Sequence, residues 1–93
     1  MQTHMATVST DNASRYIRML CKHFSHKVKV EWDEHSGYAE LPSGVARFTA
    51  EDNALLIELS AVDDAGFAQG RHIIDSHLLR FAHREPDLTI SWE

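Results

Sequence analysis

Between Ala13 and Phe24 the apolar residues Ala13, Tyr16, Ile17, Leu20, Cys21 and Phe24 fall at i, i+3, i+4, i+7, i+8 and i+11. That spacing makes one apolar stripe on a helix, and Arg15, Arg18, Lys22 and His26 take the opposite side. A helix of this kind is stable only when its stripe lies on another element. Thr10-Asp11-Asn12, just before it, offers N-cap oxygens.

The rest of the chain supplies what the stripe must cover. Met5, Ala6 and Val8 read as a short first strand. Val28, Val30 and Trp32 alternate with Lys29, Glu31 and Asp33 in a second strand that ends at the turn Glu34-His35-Ser36-Gly37. Tyr38 to Leu41 is its hairpin partner. Pro42-Ser43-Gly44 and Glu51-Asp52-Asn53 are turns around the strand Val45 to Ala50, and Ala54 to Ser60 follows with Leu55, Ile57 and Leu59 inward. Asp63 reads as the N-cap of a second helix running to about His83, with Val62 stapled on Phe67 and a stripe of Phe67, Gly70, Ile74, Leu78 and Phe81. Gly66 and Gly70, four apart, suit close packing of this helix. After Pro86-Asp87, the residues Leu88, Ile90 and Trp92 alternate in a last strand. The order is β-α-β-β-β-β-α-β, and the fold expected is an α+β two-layer sandwich with two helices on one face of a mostly antiparallel sheet. By alternation the open face carries Lys29, Glu31, Asp33, Tyr38, Glu40, Val45, Arg47, Thr49, Leu56, Glu58, Thr89 and Ser91.

Ninety-three residues, 43% of them hydrophobic, are expected to form one domain over 1–93, enough to bury about 60–65% of the unfolded surface. No stretch is long enough for a membrane span, nothing in Met1 to Thr7 resembles a signal peptide, and a single cysteine suits a reducing compartment. A cytoplasmic location is therefore expected. From Asn12 to Val30 the chain holds Arg15, Arg18, Lys22, Lys27 and Lys29 without one acidic residue, while the net charge of the whole is −5. An acidic body with one basic helix, and an open face with the single aromatic Tyr38, speak against nucleic acid as a partner. Protonating all seven histidines would carry the formal charge to +2.

Cys21-Lys22-His23-Phe24-Ser25-His26-Lys27 is where chemistry would concentrate. His23 and His26, at i and i+3, could share a metal if the helix continued, but Cys21 lies about 200° around the helix from His23. The plainer reading has His23 edging the core and His26 capping the helix end. Cys21 falls on the apolar face near a helix C-terminus, a poor setting for a thiolate. No glycine-rich phosphate loop is present, and the residues imply no cofactor. His72 with Asp75, or Asp33, Glu34 and His35, are the only acid/base groupings, and neither comes with a nucleophile, so an enzyme is the minority reading. What remains is the basic face: Arg15, Arg18, Lys22, His23, His26 and Lys27 as a docking surface for an acidic protein partner or an anionic small molecule. A free strand edge, or the patch Tyr38, Val45 and Leu56, is where a symmetric homodimer would form.

Arg15-Tyr16, Leu20-Cys21-Lys22-His23-Phe24 with His26-Lys27, Gly37-Tyr38-Ala39-Glu40-Leu41-Pro42, and Leu78 to Ala82 ahead of a terminal strand together resemble a small bacterial family, domain of unknown function 2218, over nearly the whole chain. The resemblance implies an α+β sandwich similar to the phosphohexomutase C-terminal domain. It also implies an accessory role in iron acquisition, because such domains occur alone or beside flavin-dependent siderophore-interacting ferric reductases. It brings no catalytic residues, and fold likeness does not carry function.

Overall fold

The first helix lands where its stripe requires. In the computed structural model, which describes residues 2–93, α1 (Ala13–Phe24) buries Ala13, Tyr16, Ile17, Leu20, Cys21 and Phe24. Its neighbours in the chain are β1 (Gln2–Ser9), β2 (Val30–Trp32), β3 (Ser36–Leu41), β4 (Gly44–Glu51) and β5 (Ala54–Ala61), followed by α2 (Asp64–Phe81) and β6 (Ile90–Trp92). The element order and fold class are those expected. The six strands form one antiparallel sheet in the order β2-β3-β4-β5-β1-β6. Hairpins join β2 through β5. The first strand lies one in from the β6 edge, eight residues long rather than short, pairing with β5 on one side and β6 on the other.

Both helices lie on the sheet face that carries Ala6, Val8, Ala39, Ala46, Phe48, Leu55, Ile57 and Leu59, all buried. α1 covers β2, β3 and β4, while α2 covers β5 and part of β4. Small residues matter as much as large ones here. A Cβ at Gly37 on β3 would stand 2.8 Å from Ile17 Cγ2 and 2.9 Å from Cys21 Sγ, so glycine is what lets α1 approach this strand. Gly70 plays the same part under α2, where a Cβ would meet Leu59 Cδ2 at 3.0 Å.

Several local expectations change. Asn12 is the N-cap of α1 but makes no side-chain cap; the Thr10 hydroxyl accepts from the Asn12 N–H at 3.0 Å instead. The Asn12 amide is turned toward Glu85, which also accepts from Thr10 and from the Tyr16 hydroxyl. For α2, Asp63 accepts from the Gly66 N–H at 2.8 Å as expected, but Val62 is 77% exposed and forms no staple. Phe67 packs on His4 and Trp92. The second strand begins at Val30, α2 ends at Phe81, and Lys29, Asp33 and Thr89 lie outside the strands. On the open face a cross-strand row runs Met5, Glu58, Arg47, Tyr38, Glu31, with the Arg47 guanidinium 5.0 Å above the Tyr38 ring.

Two predictions follow from this packing. Gly37→Ala should lower unfolding stability in urea by about 1–3 kcal/mol through overpacking, and Cys21→Ala in the same chain should recover part of the loss. Strict additivity would show that α1 is not seated there. Burial, then the Glu85 hydrogen bond, pushes the Tyr16 phenol from 10.0 up to about 12. The neutral phenol is thus the folded form's preference, and its contribution is complete below pH 10.0 and lost as pH rises toward about 12. Thermal melts across that window should fall more steeply for wild type than for Tyr16→Phe; parallel curves would refute the assignment.

Candidate functional site

Position along α1 divides the basic residues that the linear sequence runs together. Arg15 and Arg18 line a cleft of about 680 Å³ between the start of α1 and two turns of the sheet. Its other walls include Trp32, 42% exposed, and the carboxylates Asp11, Asp33, Glu34, Glu51 and Asp52. Asp33 is committed to its turn, accepting from the His35 and Ser36 N–H groups at 2.8 Å each, which holds its carboxyl below the usual range. Among the described residues neither arginine forms an ion pair. Five carboxylates against two guanidinium groups make this cleft acidic on balance.

The other end of α1 has a different character. The helix stops at Phe24, and its last carbonyls are met by the Ser25 hydroxyl on Lys22 and by the backbone N–H groups of Ser25, His26, Lys27 and Val28. The capping expected of His26 is therefore supplied by Ser25 and the backbone. Beside this end lies a groove of about 250 Å³ lined by His23, Phe24, Lys27, Val28, Leu41, Pro42, Ile73 and His77. No carboxylate is in that lining. Lys22 and His26 are exposed and line neither this groove nor the acidic cleft, while Lys29 reaches Glu40 at 4.0 Å.

Within the groove His23 turns to α2. Its ring centroid is 4.5 Å from that of His77 and 5.9 Å from Phe81, and Phe24 stands edge-on to His77 at 5.5 Å. Loss of water around the ring, then the nearness of His77, His26, Arg80 and Lys27, pulls the His23 pKa below its ordinary value. His77 Nδ1 lies 2.6 Å from the Ile73 carbonyl oxygen. A carbonyl only accepts, so Nδ1 carries the proton and Nε2 is the free nitrogen of the neutral ring.

The sequence reading passed over His77 as a site residue, although the signal was present. His77 sits three after Ile74 and four before Phe81, and His23 sits three after Leu20, so both histidines mark an edge of their helix's apolar stripe. Two helices laid side by side bring those edges together. Among the described residues no group of three or more His, Cys, Asp or Glu side chains gathers as a metal would need. Cys21 is fully buried beneath α1, and burial pushes its thiol up to about 11. No described helix is long and apolar enough to cross a membrane.

Comparison with known proteins agrees with this architecture. The chain is similar to the NMR structure of PA4090 from Pseudomonas aeruginosa, with 29% sequence identity, a TM-score of 0.83, and coverage of 100% of this chain and 96% of that one. A search of curated proteins finds no match. The family model described as an uncharacterized protein conserved in bacteria matches residues 5–93. With nearly its whole length matched, this chain belongs to that bacterial family, DUF2218.

Proposed function

We propose that this domain is a cytosolic, non-enzymatic binding or accessory module that engages an anionic ligand or an acidic partner at the C-terminal end of α1. The observation that carries the reading is the groove itself: Lys27, His23 and His77 line it beside an apolar floor, with no carboxylate in the lining to repel an anion. Lys22, exposed close by in sequence, adds to the positive field through which an anion approaches. The arginine cleft is the weaker candidate because its own carboxylates already outnumber its cations. The tie to siderophore and iron handling comes from the family resemblance and fits this reading. A ferric complex bearing carboxylate or catecholate groups would present negative charge to the same rim. Binding through His23 and His26 to a metal gains no third ligand among the described residues, so the anion reading is carried forward.

The test uses a short polyglutamate peptide, and separately ferric citrate, titrated into labelled protein by NMR. Amide shifts should concentrate at His23 to Val28 and Ile73 to His77. Lys22→Glu with Lys27→Glu should weaken binding about tenfold or more, a loss of about 1.4 kcal/mol, whereas Arg15→Glu with Arg18→Glu should change it less than about twofold. Equal sensitivity to the arginine pair would move the site to the acidic cleft, and no shift with either probe would end the reading. Cys21 in the folded protein should resist iodoacetamide and react only on unfolding. Rapid labelling of the folded form would instead favour a thiol-dependent enzyme.

A further inference from the structure

The Ile73 carbonyl decides what His77 can do for an anion. With its Nδ1–H donated there, the neutral ring has only the Nε2 lone pair left, and a lone pair repels a carboxylate. A second proton turns Nε2 into a charged donor. The titratable groups around the histidine pair are all basic, and no carboxylate stands in the lining. They are His23, His26 and Lys27 from α1 and the segment after it, and Arg80 from α2 itself; Leu41 and Pro42, from β3 and its turn, bring no titratable group. An arriving anion supplies the counter-charge that the lining lacks.

The remaining walls are Phe24, Val28, Leu41, Pro42 and Ile73, a floor that favours an apolar body of about one ring in size. Resting on the anion reading given above, we propose that the groove takes a carboxylate borne on an apolar body together with one proton, which His77 accepts from solvent to become the donor that holds it. Lys27 supplies the second positive contact. Each binding event removes one proton from water and places it on Nε2; no covalent bond to the ligand forms. The domain thereby acts as a weak-acid receptor that fills as pH falls toward the imidazole range and empties above it.

Benzoate is the probe. By NMR it should shift the resonances of the groove residues, with an affinity about tenfold higher near pH 6.5 than near pH 8, as expected when one imidazole must be protonated. Calorimetry in two buffers of different ionisation heat should give an uptake close to one proton per benzoate. Acetate, which lacks the apolar body, should bind at least about tenfold more weakly. His77→Gln, whose amide offers a donor at every pH, should flatten the pH dependence, and His23→Gln should leave it in place. Benzoate binding that is equally tight at both pH values, a slope that survives His77→Gln, or acetate binding as well as benzoate would each overturn the proposal while the anion reading stands. The same holds if polyglutamate shifts the groove and benzoate does not. If none of benzoate, polyglutamate and ferric citrate moves these resonances at either pH, both fall together.

Discussion

The close contact of α1 with β3 is the constraint on which the other features rest. Gly37 has no side chain to hold the helix off, so Ile17 and Cys21 reach the strand and Phe48 closes the layer beneath. With the helix at that depth and α2 on β5, the flanks of the two helices face each other across the sheet, and His23 meets His77. A side chain at position 37 would lift α1 and widen that meeting. The groove is thus a consequence of packing density, where one methyl group is enough to be felt.

Much of the architecture was readable from periodicity because each element has one apolar side and short turns punctuate the meander. The stripe from Ala13 to Phe24 and the alternation from Ala54 to Ser60 admit only one buried face. Less readable was what depends on lateral arrangement. Nothing in the spacing of Met5, Ala6 and Val8 says that their strand lies between β5 and β6, since that pairing joins residues far apart in the chain. Val62 failed as a staple because Phe67 found aromatic neighbours in His4 and Trp92, supplied by two other strands. The candidate site was half legible: His23 and Lys27 were named from the sequence, but the basic run looked continuous only because a linear list ignores which neighbours the fold sets beside each end of the helix. Arg15 and Arg18 turn out to share space with acidic turns whose position follows from the sheet.

The two ends of α1 are held by different kinds of contact. At its start, Glu85 from the segment after α2 accepts from Thr10, Asn12 and Tyr16, a charge-assisted network on a half-buried carboxylate. At its end, the tie to α2 is a cluster of two imidazoles and two phenyl rings in tilted and edge-on contact, without a direct hydrogen bond between the helices among the described residues. Directional bonds resist separation because a lost partner leaves a buried polar group unsatisfied. Edge-on ring contact is more forgiving, and its cost of opening is offset by any apolar group that enters in its place.

That asymmetry bears on which end of the helix can serve a ligand. Among the described residues the C-terminal end combines an apolar floor, two histidines with no carboxylate in the lining beside them, and a contact between helices that an incoming group can replace in kind. The N-terminal network has none of these: its carboxylate is already spoken for, and the neighbouring turns repel an anion. A fold that pins one end of α1 with hydrogen bonds and leaves the other joined by edge-on rings concentrates its adaptability at the groove. The buried thiol on the same helix stays out of reach beneath it.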